Sequence, residues 1–360
     1  MAKGYRIAVI PGDGIGEEVA PEGCRVLRAI EQVAGDFHLH FEEYPWGSEY
    51  YLRHGRLMPE DALKTLEGYD AIYFGAVGMP GTVPDHVTLW GLLLPIRKGF
   101  EQYVNVRPTR LLPGLVGPLR NKGPEDIDFV CVRENTEGEY SGVGGRVHGG
   151  KPYEVALQTS VFTRQAVERV IRFSFELARK RSRKKLSSVT KSNACQYTMV
   201  LWDEIFSELA AEYPDVQTEK WHVDAMAARF ITHPETLDVV VASNLFADIL
   251  TDLGGALQGS LGMAPSANLN PERRWPSMFE PVHGSAPDIA GKGIANPIAM
   301  IWSGALMLEF LGEEHSADLI MSAIERVTAG GKTLTPDVGG TSKTTEVAEA
   351  IIREIHELPA

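Results

Sequence analysis

Short apolar runs of strand length alternate along this chain with segments of helix length. Several of the runs are apolar throughout, which is typical of strands covered on both faces of a sheet. The alternation predicts an α/β fold with a largely parallel sheet. The predicted strands are RIAVI (6–10), YDAIYFGAV (69–77), IDFVCVRE (127–134), LSSVTK (186–191) and LDVVVASN (237–244).

Three further segments have a composition or periodicity that predicts their structure. MIWSGALMLEFLG (300–312) is apolar nearly all round, so we expect a buried helix there. SGVGGRVHGGKPYEV (141–155) is Gly-rich and polar, which indicates a flexible loop or an arm that reaches a second subunit. Residues 163–181 form an amphipathic pattern. Its predicted inward face carries Val167, Val170, Ile171, Ser174 and Ala178.

Composition limits the classes of protein that fit. With 360 residues, 44% of them hydrophobic, the chain can form one large domain or two ordinary ones. The formal net charge of −13 disfavours nucleic acid or an anionic membrane as a partner. Neither a signal segment nor an apolar stretch of the ~18 residues needed to span a bilayer is present, which predicts a soluble cytoplasmic protein. Cys24, Cys131 and Cys195 are too scattered for a disulfide framework or a zinc site, and we expect them reduced and buried.

Two glycine-rich stretches could each approach a phosphate. IPGDGIGEE (10–18) follows a predicted strand, but Glu17 stands where a dinucleotide fingerprint needs its third glycine. Glu17 and Glu18 would also repel a pyrophosphate at the start of the helix. We therefore interpret this stretch as a tight strand-to-helix turn, which leaves EPVHGSAPDIAGKGIANP (280–297) as the other candidate.

Acidic residues indicate a site for a divalent cation. Asp248 and Asp252 stand four residues apart, so on a helix they share one face, where two like charges need a positive partner. Asp224, in an apolar context, offers a third carboxylate. Oxygen ligands alone favour Mg²⁺ or Mn²⁺, although such a pair can also be ordinary solvated surface.

Basic and hydroxyl side chains suggest an anion site with proton-transfer groups. Arg97, Arg107 and Arg133 could bind a di- or tricarboxylate, because each guanidinium can hold a carboxylate by two hydrogen bonds. The alternative is that they form ordinary surface salt bridges. Tyr140 and Lys191, each close to a strand end, are candidates for acid–base catalysis, although either can be structural.

Five stretches together resemble the β-decarboxylating dehydrogenases, which include isopropylmalate, isocitrate, homoisocitrate, tartrate and D-malate dehydrogenases. The resemblance implies an isopropylmalate/isocitrate dehydrogenase-like fold of two α/β domains with a mixed sheet, which is not a true Rossmann fold. It assigns residues 1–102 plus 259–360 to a nucleotide-binding domain and 103–258 to a middle domain with the dimer interface and an arm. The stretches are IPGDGIG, VNVRP, VRENTEGEY, SNLFADILTDLGG and FEPVHGSAPDIAGKGIANP.

The resemblance also implies a role for each candidate residue. The arginines 97, 107 and 133 would bind the substrate carboxylates, and the aspartates 224, 248 and 252 would hold Mg²⁺ or Mn²⁺. Lys191 would act as the base for the hydroxyl proton and Tyr140 would protonate the enol carbon. Asp224 and Lys191 would come from the second subunit of a homodimer. The nucleotide would be lined by His283, Gly284, Ser285, Ala286 and Asn296.

Asp288 indicates NAD as the cofactor. An acid at this place can accept hydrogen bonds from a ribose hydroxyl and would repel the extra phosphate of NADP. Members of the family that use NADP carry Lys-Tyr where this chain has Asp288-Ile289. The resemblance also implies that a monovalent ion such as K⁺ can assist, although the sequence does not place its ligands.

We predict that the substrate is a small 2-hydroxy dicarboxylate, D-malate or tartrate. Residues 69–91, 265–284 and 295–312 resemble the tartrate and D-malate dehydrogenases. The alternative is 3-isopropylmalate, because Leu93 and Leu94 fall where two leucines contact its isopropyl group, although Trp90 replaces the usual acid. A catalytically dead subunit is disfavoured because no expected catalytic residue is missing. A kinase or phosphatase is disfavoured because the first glycine loop has no Walker-type lysine.

Overall fold

The computed structural model describes residues 3–358 and contains one ten-stranded sheet and one two-stranded sheet. The ten-stranded sheet has the order β2-β1-β3-β12-β11-β4-β5-β10-β8-β9. The strands are β1 (Lys3–Gly12), β2 (Phe37–Glu43), β3 (Ala71–Ala76), β4 (Val104–Arg110), β5 (Asp128–Glu134), β6 (Gly138–Val147), β7 (Val155–Val161), β8 (Lys185–Thr190), β9 (Gln217–His222), β10 (Val239–Ala242), β11 (Pro265–Leu269) and β12 (Ser277–Pro281).

The helices flank the large sheet or connect its strands. They are α1 (Gly16–Ala34), α2 (Ser48–His54), α3 (Ala62–Leu66), α4 (Asp85–Thr88), α5 (Leu94–Gly99), α6 (Arg164–Lys180), α7 (Thr198–Ala210), α8 (Val223–Thr232), α9 (Asn244–Leu257), α10 (Ile298–Leu311), α11 (Glu314–Gly330) and α12 (Thr344–Glu357). A π-helical turn at Leu89–Leu93 leads directly into α5. Single turns of 3₁₀ helix lie at Pro234–Thr236, Leu261–Met263 and Pro336–Val338.

The large sheet is mixed, as the resemblance implies. All five predicted strands are present, and the pairs that flank the centre are parallel. The central strands β11 and β4 run antiparallel to their neighbours β12 and β5 and to each other. The expectation of a largely parallel sheet holds for both flanks, while this antiparallel centre distinguishes the fold from an ordinary doubly wound sheet.

Two helices confirm the patterns in the sequence. Helix α6 buries the whole predicted face and, in addition, Ala166 and Phe175. It begins where the Thr163 hydroxyl accepts a hydrogen bond from the Ala166 amide at 3.2 Å. Helix α10 is buried over most of its length, and it packs against α1, α11 and the strands β11 and β12. Its uniformly apolar surface follows from this central position.

The first glycine stretch forms a tight turn between β1 and α1. Gly12 and Gly14 have positive φ values of 76° and 59°. A side chain at Gly14 would collide with the backbone oxygen of Ser285, so the turn lies directly against the second glycine-rich stretch. Buried Asp13 holds the turn by accepting hydrogen bonds from the Ser48 amide and hydroxyl and from the Gly78 amide. The interpretation of this stretch as a structural turn is consistent with these contacts.

The cysteine prediction was wrong for one residue. All three thiols are free, and Cys131 is buried. Cys24 is only partly buried, and Cys195 is exposed because it precedes α7 in a surface turn. In residues 3–358, no helix is both long enough and apolar enough to cross a membrane.

The contact at Gly14 predicts a specific stability effect. We expect Gly14→Ala to lower the free energy of unfolding by more than the ~1–2 kcal/mol that a left-handed φ alone costs a non-glycine residue. The excess arises because the added methyl group must displace the backbone of Ser285. The measurement is the unfolding midpoint in urea.

Gly35→Ala is the matched control for this prediction. Gly35 has a φ of 70°, and no atom lies within 4 Å of the position of an added Cβ. This variant should therefore show only the penalty for the left-handed backbone. Equal losses in the two variants would contradict a steric role for the contact between Gly14 and Ser285.

Candidate active site

The predicted arginines, Tyr140 and Asp248 line one cavity of about 210 Å³. Phe74, Val77, Leu89 and Leu93 form an apolar wall of this cavity. His283 and Gly284 border it as well, so the cavity adjoins the second glycine-rich stretch. Residues from α5, β4, β5, β6, α9 and the segment after β12 thus meet at one place, although they are far apart in the sequence.

All three arginines are buried, which contradicts the alternative of ordinary surface salt bridges. Arg97 is 5% exposed, Arg107 6% and Arg133 2%. In the pairing of β4 with β5, Arg107 lies opposite Cys131, and Arg133 is two residues further along β5. Both side chains therefore project from the same face of the sheet. Arg97 reaches the cavity from α5.

Two carboxylates partly neutralise the arginines. Arg97 Nη2 donates to Glu280 Oε1 at 2.6 Å. Arg133 donates to Asp248, and Arg107 Nη1 lies 3.4 Å from the same carboxylate oxygen. Burial and the like charge of Arg107 together lower the pKa of Arg133 to about 10, although the charge of Asp248 opposes this shift. Three guanidinium groups against these two carboxylates leave an excess of positive charge, which favours an anionic ligand.

The two aspartates of α9 have opposite pKa shifts. Burial alone would raise the pKa of Asp248, but the charges of Arg133 and Arg107 and a hydrogen bond from Tyr140 hold it below the usual value. The pKa of Asp252 is raised by partial burial and by the charge of Asp248. The prediction that both lie on one helix is correct. A cation beside Asp252 would relieve the repulsion that raises its pKa.

Tyr140 lies near the start of β6 and points into the cavity. Its hydroxyl donates to Asp248 Oδ2 at 3.0 Å, and its ring centroid lies 5.3 Å from the guanidinium carbon of Arg133. Burial and the neighbouring Asp248 charge raise the pKa of Tyr140. The phenol is therefore protonated at neutral pH and can donate a proton.

Lys191 and Asp224 are brought together, but away from this cavity. Lys191 Nζ lies 2.5 Å from Asp224 Oδ1, and Asp224 sits in the first turn of α8. The Asp224 side chain is 69% exposed, although its neighbours in the sequence are apolar. Within one chain, residues 3–358 contain no cluster of three or more His, Cys, Asp or Glu side chains suited to a metal. The three predicted metal ligands are thus not assembled by a single subunit.

The second glycine-rich stretch borders the cavity and continues away from it. Ser285 and Asn296 are buried, whereas Asp288 is exposed. Ala286 has a φ of 40°, which bends the backbone sharply at this point. Burial lowers the pKa of His283, and its Nε2 atom is buried without a hydrogen-bond partner in the described part of the chain. A donor or acceptor from a bound ligand would satisfy this atom.

Residues that the sequence analysis did not predict hold this stretch in place. Glu18 accepts hydrogen bonds from the amides of Gly291 and Gly293 at 2.5 and 2.9 Å. Asp337 accepts one from Asn296 Nδ2 at 3.1 Å. From the sequence we expected Glu18 to repel phosphate, whereas in the structure its carboxylate accepts hydrogen bonds from loop amides. No pattern in the sequence links these positions, which lie far apart along the chain.

Glu280 was also missed as a site residue. It is the penultimate residue of the buried strand β12 and the first residue of the second glycine-rich stretch, so its position was a usable signal. Besides Arg97, it accepts a hydrogen bond from Asn268 Nδ2 at 2.7 Å. With two donors on one carboxylate oxygen, Glu280 fixes the orientation of Arg97 at the cavity wall.

The leucines near Arg97 do not both face the cavity. Leu93 lines it together with Leu89, whereas Leu94 is buried elsewhere and does not. Trp90 is 41% exposed and lies outside the lining. Of the expected pair of substrate-contacting leucines, only Leu93 therefore lines the cavity.

Comparison with known proteins agrees with this geometry. The model of the family described as "Isocitrate/isopropylmalate dehydrogenase" matches residues 6–351 of this chain. The chain is 60% identical over 351 residues to a probable tartrate dehydrogenase/decarboxylase of Agrobacterium vitis, covering 98% of each chain. It is 57% identical over 361 residues to D-malate dehydrogenase [decarboxylating] of Escherichia coli (strain K12), covering 99% of each.

A solved structure extends the comparison to the fold. Isocitrate dehydrogenase from Methylococcus capsulatus superposes with a TM-score of 0.87 at 35% identity, covering 98% of this chain and 99% of that one. Sequence and structure thus match over nearly the whole length. The chain belongs to the isocitrate/isopropylmalate dehydrogenase family.

Proposed function

We propose that this protein oxidises and decarboxylates a small 2-hydroxy dicarboxylate, D-malate or tartrate, with NAD and a divalent cation. The observation that carries the proposal is the small cavity in which three buried arginines face one tyrosine and one aspartate. The relatives named as tartrate dehydrogenase/decarboxylase and D-malate dehydrogenase support the same chemistry. Membership of this family implies an NAD-type cofactor and a divalent metal in general terms.

The arginines supply substrate binding. Paired hydrogen bonds to the two substrate carboxylates would come from Arg97, Arg107 and Arg133. The carboxylates would replace solvent and offset the excess positive charge of the cavity. A volume of about 210 Å³ suits a four-carbon acid. Leu93 in the lining is the observation that keeps 3-isopropylmalate as a second candidate, because its side chain could contact an isopropyl group.

The metal would be held by Asp248 and Asp252 of one subunit and Asp224 of the other. The donor set fits, because carboxylate oxygens prefer Mg²⁺ or Mn²⁺, and partial burial together with the charge of Asp248 raises the pKa of Asp252. When bound, the cation would supply Lewis-acid stabilisation of negative charge on substrate oxygens. Asp248 is already oriented by Arg133 and Tyr140.

The nucleotide would lie along residues 283–296, with its reactive end at the cavity border. His283 and Gly284 lie at this border, while exposed Asp288 is available to a ribose hydroxyl of NAD. NAD would supply the acceptor for the hydride that leaves carbon 2. Ser285, Ala286 and Asn296 would line the adenosine part, held by the contacts from the first turn and from Asp337.

Two side chains would move protons. Lys191 from the second subunit would accept the proton of the hydroxyl on carbon 2 during oxidation. Tyr140 would donate its phenolic proton to carbon 3 after carbon dioxide leaves, and its raised pKa keeps that proton available at neutral pH. The arginines would meanwhile hold the remaining carboxylate and prevent rotation of the substrate.

A homodimer would complete each site. Residues 1–102 plus 259–360 would form the nucleotide-binding domain, and 103–258 the middle domain that carries the subunit contacts. The predicted arm is a hairpin of β6 and β7, which leaves Val143, Val147, Val155 and Leu157 exposed. Exposed apolar side chains on a two-stranded arm favour contact with a second subunit. A cytoplasmic location and a contribution from K⁺ stay predictions of the sequence.

The proposed substrate can be tested with the purified protein, Mn²⁺, K⁺ and NAD⁺. We expect NADH formation and carbon dioxide release to be fastest with D-malate or a tartrate isomer, and slow with 3-isopropylmalate and isocitrate. Replacing NAD⁺ by NADP⁺ should lower the rate, because Asp288 would repel the additional phosphate. Fast turnover of 3-isopropylmalate alone would instead establish the second candidate.

Removal of the tyrosine hydroxyl tests the proton donor. We expect Tyr140→Phe to lower kcat by about 10²- to 10⁴-fold, the range typical of a lost general acid, with a smaller effect on KM. Tyr50→Phe is the control, because the half-buried Tyr50 ring contacts the His54 ring at a centroid distance of 4.3 Å and does not line the cavity. A Tyr140→Phe variant with unchanged kcat would contradict the assigned role.

Metal binding can be measured without turnover. EDTA should abolish activity, and Mn²⁺ should restore it. Asp252→Asn should weaken Mn²⁺ binding by at least about tenfold in a titration followed by electron paramagnetic resonance, because one anionic oxygen ligand is lost. Asp215→Asn, which removes a surface partner of Arg179, should leave Mn²⁺ binding unchanged. Equal Mn²⁺ affinities of the unmodified protein, Asp252→Asn and Asp215→Asn would exclude Asp252 as a ligand.

A further inference from the structure

Lys98 and Trp90 contact the segment that carries Tyr140, although neither lines the cavity. We propose that Lys98, braced by Trp90, is a positioning residue that fixes the backbone at Tyr140 relative to the substrate-binding Arg97. The proposal rests on the proposed function, since it concerns the geometry of the same reaction. Four observations carry it.

The first observation is the set of hydrogen bonds of Lys98. Its Nζ atom donates to the backbone oxygens of Tyr140 at 2.7 Å and of Ser141 at 3.2 Å. Lys98 makes no salt bridge in the described part of the chain. Burial lowers its pKa, and the charge of Glu134 opposes that effect. The ammonium group is thus directed at two consecutive carbonyls and not at a carboxylate.

The second observation is the packing of Trp90. Lys98 Nζ lies 4.7 Å from the centroid of the Trp90 ring, a distance at which a cation is attracted to the ring face. The same indole lies against Gly142, where a side chain would come within 2.8 Å of its Cη2 atom. Gly142 has a φ of 83°, so only glycine combines this backbone turn with this contact. Two side chains therefore hold three consecutive residues, 140 to 142.

The third observation is the interrupted pairing of β6. Gly138 pairs with Val161 of β7, and the regular register resumes only at Val143, which pairs with Thr159. Residues 139–142, including Tyr140, lie in the irregular part between these pairs. A β-bulge of this kind re-aims a side chain but weakens the local ladder. Within this irregular part, the Lys98 ammonium group supplies donors to the carbonyl oxygens of Tyr140 and Ser141.

The fourth observation is the position of Lys98 in the sequence. It directly follows Arg97 on α5, and Trp90 lies in the π-helical turn that leads into the same helix. Arg97 is fixed at the cavity by Glu280. One short element therefore holds both a substrate-binding guanidinium and the main chain of the proton donor. A displacement of about 1 Å between such groups can cost about 100-fold in rate.

The test compares Lys98→Met, Lys98→Arg and a matched lysine elsewhere. Lys98→Met keeps the aliphatic chain but removes the donors. We expect it to lower kcat for D-malate by about 10- to 100-fold while KM for D-malate and NAD⁺ changes by less than about threefold. Lys98→Arg retains a cationic donor and should recover most of kcat. Lys185→Met is the control, because Lys185 Nζ also donates to a backbone oxygen, that of Thr236 at 2.9 Å, outside the cavity.

A double variant separates positioning from a general structural effect. If Lys98 acts through Tyr140, Lys98→Met should lower kcat little further in a Tyr140→Phe background. Additive losses, a change in KM alone, or no rescue by arginine would overturn the proposal.

Hydrogen exchange gives a readout that does not depend on activity. The amides of residues 138–144 should exchange faster in Lys98→Met than in the unmodified protein or in Lys185→Met, because the local anchor is lost. Unchanged exchange would overturn the proposal even if the protein is active. An unmodified protein that turns over no dicarboxylate would refute the proposed function, while the exchange measurement would still decide whether Lys98 holds this segment.

Discussion

The structure depends on the burial of three guanidinium groups at one place. Removing Arg97, Arg107 and Arg133 from water is costly unless each finds hydrogen-bond partners. Glu280 and Asp248 provide most of that compensation, supported by Asn244, which accepts from Arg133 at 2.7 and 3.0 Å. The two carboxylates do not balance the charges of the three guanidinium groups, so the cavity still favours an anion. A dicarboxylate would supply the missing negative charge and carry the reacting carbon to Tyr140.

A second set of contacts links the two glycine-rich stretches. The turn after β1 lacks the third glycine of a Rossmann fingerprint, and it contacts the loop that is proposed to hold the nucleotide. The Ile15 amide donates to the Ser285 oxygen at 2.9 Å, and Glu18 accepts from two amides of that loop. Glu18, in the first turn of α1, therefore organises the loop through hydrogen bonds. One of the two acids that follow this glycine-rich turn thus has a structural role.

The cavity also depends on an element that no periodic pattern indicates. The π-helical turn before α5 directs Leu89 and Leu93 into the cavity wall and leaves Leu94 in the interior. Such turns occur frequently at functional sites, since one additional residue per turn changes which side chains face the ligand. Here the same turn presents Trp90 to Gly142 and Lys98. The proposed substrate contact and the proposed support of the arm thus originate in one short segment.

The sequence by itself determined the elements and the kinds of chemistry available. Apolar runs and helical periodicity are local properties, so the five predicted strands, the buried face of α6 and the buried helix α10 could be inferred without tertiary contacts. The residue types at positions 97, 107 and 133 pointed to an anion site, that at 140 to acid–base catalysis and that at 248 to a cation site, because each inference needs only local sequence. Their convergence in one cavity agrees with the resemblance to the family.

Only the tertiary structure decided which groups meet, because contacts between distant residues leave no periodic signal. Arg97 and Glu280 are 183 residues apart, and Glu18 and Gly293 are 275 apart. The antiparallel centre of the sheet and the exposure of Cys195 and Asp224 likewise follow from packing. Local sequence patterns specify how a segment folds, whereas the partners of a buried charge depend on which segments the whole fold brings together.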